Sequence, residues 1–227
     1  MSPPARGGGR PGVRPVSGTG AGVRARRRPV PRRFYDRDAL EVAPELLNKL
    51  LVRGGRVARI VEVEAYRGAD DPASHAYRGP TRRNATMFGP PGRLYVYFTY
   101  GMHWCANAVC GPEGLAQAVL LRAAAPVAGV DEMVAARSSR PVPPRALAAR
   151  DVTNGPAKLC QAFTITGTDD GADLVVGDRG VRIVDDGTPP PRRPAVSGRV
   201  GIRLAVEHPW RFWVEGDPHV SRGPVAL

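Results

Sequence analysis

Hydrophobic positions along the chain change period several times, and each change marks an element. Over Asp38 to Leu51 the apolar residues fall at helical spacing, with Leu46, Leu47, Leu50 and Leu51 on one face and Gly54-Gly55 as the stop. The pattern predicts a helix in two short pieces, the second opened by Pro44. Val57 to Tyr66 is rich in β-branched residues and predicts a strand. A polar, Gly- and Pro-containing stretch, 67–92, predicts a long loop, a kind that in compact domains is functional or disordered. Arg93 to Tyr100 predicts a second strand and His103 to Val109 a third, joined as a hairpin with Tyr100, Gly101 and Met102 at its tip.

Beyond the hairpin the pattern predicts a strand at Gln117 to Ala123, a helix at Val130 to Arg137 and a loop at Arg140 to Arg150. A helix capped by Asn154, with Pro156 in its first turn, follows. Leu174 to Val184, Val200 to Val206 and Trp210 to Val214 read as strands, the last closing the sheet. There is no internal repeat and no sign of a second core. The fold class expected is α+β, as a single mixed domain.

Composition divides the chain at about residue 33. Residues 1–33 are mostly Gly, Pro and Arg, with nine arginines and no acid. Such a segment buries too little apolar surface to offset its ordering entropy, so it is expected to be a disordered basic tail, with the folded domain over 34–227. A DNA-touching arm and an idle extension fit it equally. The formal net charge of +12 falls to +3 without those arginines, so basicity alone says little about a polyanionic partner. No apolar run reaches the roughly 18 residues of a membrane span, and no apolar block follows the basic N-terminus as in a secretory signal. A cytoplasmic, non-membrane protein is expected. Cys105, Cys110 and Cys160 are odd in number and form no Cys-x-x-Cys pair. With His103 they match no standard zinc spacing, so buried thiols and no metal are expected.

Candidate chemistry concentrates on two strands. Glu62, Glu64 and Tyr66 alternate onto one face of 57–66, while Val61, Val63 and Ala65 take the other. A solvated sheet face accounts for two glutamates without any function. The strand, however, runs into the loop that carries His75, which suggests an acid/base site. Spacing leaves Glu62 and Glu64 as equal candidates. On the hairpin, Tyr95, Tyr97 and Thr99 share a face opposite Leu94, Val96 and Phe98, either as ordinary half-buried sheet or as a stacking surface. Tyr100, at the tip, has little to pack on within its own domain, as a wedge into a base stack would.

The ordered motifs Arg59-Ile-Val-Glu-Val-Glu64-Ala-Tyr66, Ser74-His75, Arg83-Asn84, Gly92-Arg-Leu-Tyr95-Val-Tyr97-Phe-Thr-Tyr100-Gly101-Met102, Leu120-Leu121-Arg122-Ala123 and Gly155-Pro-Ala-Lys158-Leu-Cys160-Gln161 together resemble the alkyladenine (3-methyladenine) DNA glycosylase family. They cover about residues 34 to 215. The resemblance implies a curved antiparallel sheet with flanking helices and a protruding hairpin. It implies duplex DNA containing alkylated purines as partner, contacted from the minor groove with the damaged base flipped out, and a monomer needing no cofactor and no metal. It assigns Glu64 as activator of the attacking water, with Arg122 helping to hold that water. Tyr66, His75 and Tyr97 become the base pocket, Asn107 a discriminator against guanine, and Tyr100 the intercalating residue. His103 departs from the family, where an aromatic is commoner, and the segment from Asn107 to Arg122 is slightly longer. The setting implied is base excision repair at the nucleoid.

That chemistry suits these residue types. An alkylated purine is cationic and a good leaving group, and tyrosine faces attract cations. One carboxylate can stabilise the developing oxocarbenium charge and take the water's proton. The chain has only two lysines, Lys49 and Lys158, and neither accompanies the Glu64 cluster. A Schiff-base lyase step is therefore not expected, and the predicted enzyme is monofunctional, leaving an abasic site. The rival readings are a non-catalytic nucleic-acid-binding protein and an enzyme acting on free nucleosides or RNA.

Overall fold

Strand-forming stretches dominate the described chain, residues 27–138 and 147–223 of a computed structural model. In chain order the first half holds β1 (Arg28–Pro29), α1 (Arg32–Tyr35), α2 (Ala39–Leu46), β2 (Leu50–Arg53), β3 (Arg56–Tyr66), β4 (Arg93–Thr99) and β5 (His103–Cys110). The second holds β6 (Gln117–Ala128), α3 (Val130–Arg137), α4 (Pro156–Ala162), β7 (Ala172–Asp173), β8 (Val181–Asp185), β9 (Ala195–Ser197) and β10 (Arg211–Trp213). The strands join in one antiparallel sheet in the order β1-β8-β2-β3-β6-β5-β4-β7, with β10 on β3 and β9 on β10. This is the mixed α+β domain with a curved antiparallel sheet and a hairpin, β4–β5, that the sequence predicts.

β3 is the hub. It pairs with β2 through its first half, with β10 at residues 62–64, and with β6 along its length. Its register against β6 slips twice near the middle. Ile60 faces Ala124, Glu62 faces Ala123 and Val63 faces Leu121, so Val61 is one residue extra on β3 and Arg122 one extra on β6. Bulges of this kind bend a sheet and re-aim side chains. Here they turn Arg122 onto the two glutamates of β3. The core fills the space between the sheet and the helices: Val42, Leu46, Ile60, Val63, Leu121, Leu159 and Phe163 are fully buried. α2 starts where Asp38 accepts the Leu40 N–H at 2.9 Å, an N-cap bond.

Several expectations fail for identifiable reasons. The helix predicted to run to Leu51 stops at Leu46, with Pro44 inside it rather than opening a second piece. Asn48 turns left-handed (φ 68°), and Leu50 and Leu51 enter β2 between two neighbouring strands. Leu-Leu pairs buried on both faces satisfy either period, so the apolar count favoured the wrong one. Asn154 does not cap α4. The cap position falls on Gly155, while Asn154 accepts from Lys158 Nζ at 2.7 Å and donates to Asp151. The strand expected over 174–184 exists only from Val181, after a turn at Gly177 and Gly180. Val200 to Val206 is a loop, not a strand, with Ala205 left-handed (φ 52°). The expected tail also begins to order earlier than residue 34: Arg28 and Pro29 pair with Asp185 and Val184, and Arg32 bonds Asp173 at 2.5 Å. The remainder of that tail, 1–26, and residues 140–146 of the predicted loop lie outside the described residues.

Candidate active site

Glu62 and Glu64 are both fully buried, which removes the solvated-face reading of β3. Burying a carboxylate is costly unless it is paired and hydrogen-bonded, and the two are satisfied in different ways. Glu62 accepts on Oε1 from Arg122 Nε (2.8 Å), Arg211 Nε (2.7 Å) and Ser221 Oγ (2.8 Å), and on Oε2 from the Ser221 N–H (2.7 Å). It is closed off. Glu64 accepts on Oε1 from the Val200 N–H at 2.7 Å, with Arg122 Nη1 at 3.2 Å, and on Oε2 from the Tyr66 hydroxyl at 2.9 Å. Tyr66, Val200 and Arg122 all line a cavity in front of it. The two carboxylates, equal by spacing, thus differ in their partners.

Arg122 bridges the pair and gives its remaining Nη2 to Ser221 Oγ at 3.1 Å. Burial pulls the guanidinium's pKa down, but the charges of Glu64 and Glu62 outweigh it and hold it above the ordinary arginine value.

In front of this layer lies a cavity of about 340 Å³. Six of the seven residues singled out by sequence line it: Tyr66, His75, Tyr97, Tyr100, Asn107 and Arg122. The seventh, Glu64, sits immediately behind Tyr66, Arg122 and Val200. The wall is aromatic. Tyr95 and Tyr97 stack at 5.5 Å, and the His75 ring meets Tyr97 edge-on at 4.5 Å. His75 Nδ1 lies 3.0 Å from the Tyr95 hydroxyl. The loop carrying His75 is held by buried Asn84, whose amide donates to the His75 and Gly79 carbonyls at 2.8 and 3.1 Å. Asn107 donates to the Tyr95 carbonyl at 3.2 Å, which fixes its amide in the wall. Tyr100 stands at the mouth, 78% exposed and left-handed (φ 52°).

The aromatic and imidazole groups of the pocket are held neutral, while Arg122 stays charged at its floor. Burial, then the charge of Glu64, raises the Tyr66 phenol well above its ordinary value. Burial pushes Tyr95 up to about 12, and burial followed by Cys105 raises Tyr97. Burial, then the Arg83 charge, keeps His75 below the usual histidine value. At neutral pH the aromatic wall is three phenols and a neutral imidazole, and the one cation behind them, Arg122, is offset by the carboxylates of Glu62 and Glu64. Such a space suits a flat, electron-poor or cationic ring. Among the described residues no group of His, Cys, Asp and Glu could hold a metal ion. Cys105, Cys110 and Cys160 are buried free thiols.

Several contributors went unpredicted. Tyr95 shares the alternation that exposes Tyr97, so its signal was present. Arg199, Arg211 and Ser221 left no local signal. Arg199 forms a buried bidentate pair with Asp71 (2.5 and 2.8 Å), bonds the Ala65 carbonyl, and lies 4.6 Å from the Tyr66 ring and 4.9 Å from Trp210. It precedes the residue whose N–H holds Glu64.

Comparison with known proteins gives a consistent answer. A family model described as methylpurine-DNA glycosylase matches residues 33–218. A protein of Burkholderia lata is 56% identical over 197 residues, covering 86% of this chain and 92% of its own length. Relatives from Frankia casuarinae and Streptomyces avermitilis are 49% identical over 207 residues and 46% over 209, covering 84% and 86% of this chain and 91% and 92% of their own. All three bear the provisional name 3-methyladenine DNA glycosylase.

Proposed function

The chain belongs to the methylpurine-DNA glycosylase family, and on that premise we propose that its cavity takes an alkylated purine flipped out of duplex DNA and that Glu64 activates the water that displaces it. As a family member it is a DNA-repair hydrolase of the N-glycosidic bond. The observation that carries the finer reading is the asymmetry of the two buried glutamates: Glu62 is tied to Arg211 and Ser221, which do not line the cavity, whereas the hydrogen bonds and ion pair of Glu64 go to Tyr66, Val200 and Arg122, which all do.

The base, cationic when alkylated at N3 or N7, stacks among Tyr66, Tyr97 and His75, where neutral rings present negative faces to it. As the glycosidic bond lengthens, positive charge grows on the sugar. Glu64 stabilises that charge and accepts a proton from the attacking water, and Arg122 orients the carboxylate. Asn107, held in the wall by its bond to Tyr95, meets the base edge and selects against an exocyclic amine. Tyr100 fills the gap in the stack and offsets part of the few kcal/mol that extrusion costs.

The amines support single-step hydrolysis without strand cleavage. Lys49 Nζ pairs with Asp185 at 2.9 Å and Lys158 Nζ bonds Asn154, so neither lysine enters the cavity. The product is an abasic site. The reading takes the enzyme as a monomer, as the resemblance implies, and no helix among the described residues is long and apolar enough to cross a membrane.

Glu64→Gln tests the reading. It should abolish release of 7-methylguanine or 3-methyladenine from duplex DNA while binding to the damaged duplex survives. Wild-type release by the variant would sink the assignment.

A further inference from the structure

The loop between Val200 and Trp210 is pinned at both feet and bare at its tip. At one foot the Val200 N–H is bonded to Glu64, and Arg199 before it is locked to Asp71. At the other, the Trp210 carbonyl accepts the Ala65 N–H at 2.9 Å, and the Trp210 ring stacks on His208 at 4.2 Å. Between the feet, Leu204 and Val206 are each 57% exposed and Arg203 is exposed. Ala205 takes a left-handed conformation that a β-carbon disfavours, as Tyr100 does on the hairpin. A tightly founded loop that holds strained, apolar residues out in water is built for contact.

Its place says with what. Gly201, Ile202, Arg203 and Leu204 line the same cavity as Thr99 and Tyr100, from a different segment of the chain. Arg203 has no hydrogen bond and no ion pair among the described residues. A free guanidinium at the mouth repels a cationic base, so its partner there is an anion. The anion that enters with a flipped nucleotide is its own phosphodiester.

The geometry points to Val200–Trp210 as the second rim of the DNA-binding face, at the cavity that Tyr100 also lines. Arg203 binds the phosphate attached to the extruded nucleotide, and Leu204 packs against the neighbouring sugar. The two rims grip the strand together and hold the nucleotide out. This rests on the proposed reading of the cavity as a flipped-base pocket.

Salt-dependent binding separates the two ideas. In a Glu64→Gln background that prevents turnover, affinity for a duplex carrying one 7-methylguanine is measured against salt. Each phosphate contact contributes about 0.9 to the slope of log affinity on log salt. Arg203→Ala should flatten the slope by about that amount, Arg203→Lys should restore it, and Arg192→Ala, exposed but outside the cavity, should leave it unchanged. Leu204→Ser should weaken binding without changing the slope. If the parent shows a normal slope that Arg203→Ala does not alter, the rim is wrong and the flipped-base pocket stands. If the parent's binding is insensitive to salt, the duplex reading falls, and the rim with it.

Discussion

Asp71→Asn removes one charge from a pair that has no water to replace it. Both side chains are completely buried, and the guanidinium of Arg199 is held by two bonds to Asp71. The variant leaves a buried positive charge with one carbonyl and two aromatic faces as company. Breaking a buried pair from one side costs about 3–5 kcal/mol. For a domain of this size each kcal/mol lowers the melting midpoint by about 2–4 °C, so the midpoint should fall by about 6–20 °C. Removing both charges is a different perturbation. The double variant Asp71→Asn with Arg199→Met strands no charge and should recover much of the loss. Its base release should stay low, because Arg199 stands behind Tyr66 and next to Val200. Thermal denaturation followed by circular dichroism, alongside a single-turnover release assay, checks both halves. A midpoint shift under about 2 °C for Asp71→Asn, or a double variant no more stable than the single, would refute the argument that an unpaired buried charge dominates here.

Three further outcomes are expected. Glu62→Gln weakens the frame around Arg122 without touching the cavity, so single-turnover release should slow on the order of tenfold at an unchanged half-saturating enzyme concentration; a rise in that concentration with an unchanged rate would place Glu62 in binding instead. Tyr100→Ala, at an exposed position, should alter stability by under about 0.5 kcal/mol and still impair release from duplex DNA while sparing a single-stranded substrate. His75 sits below the ordinary value of 6.5 because of burial and then Arg83. The unfolded chain therefore takes up this proton first as pH falls, and folded stability drops below about pH 6.5. An imidazolium in the pocket would also repel a cationic base, so the acid limb of release should lie below pH 6.5 and move in His75→Gln; a limb at or above 6.5, or one that this variant leaves in place, counts against it.

Legibility from sequence followed the range of the interactions. β3, the hairpin and α3 could be read to within a residue or so because alternation and turn residues are local signals. The rim loop could not. Val-Gly-Ile-Arg-Leu-Ala-Val has a strand's composition, but the Val200 N–H is taken by a side chain 136 residues away and so is not available to a sheet neighbour. Glu62 illustrates the same limit. Its alternation with Glu64 was plain, yet what distinguishes the two is a frame supplied by Arg211 and Ser221, 149 and 159 residues downstream. Motif resemblance singled out Glu64, Arg122 and the pocket aromatics as candidates, and the fold gathers them at one cavity; nothing local pointed to Arg199.

The ring contacts have an optical consequence. The chain has three tryptophans, and each lies one side chain behind a part of the site. Trp104 packs against Phe98 at 4.7 Å on the hairpin that carries Tyr100, Trp210 backs the Arg199 that supports Tyr66, and Trp213 lies 4.4 Å from the guanidinium of Arg211 that frames Glu62. Indole emission responds to nearby charge and to stacking, so the native fluorescence of the unlabelled protein is a reporter at three depths: hairpin tip, cavity wall and the frame around Glu62. Single-tryptophan variants would let each stage of DNA engagement be timed separately in a stopped-flow experiment, with no dye on protein or DNA.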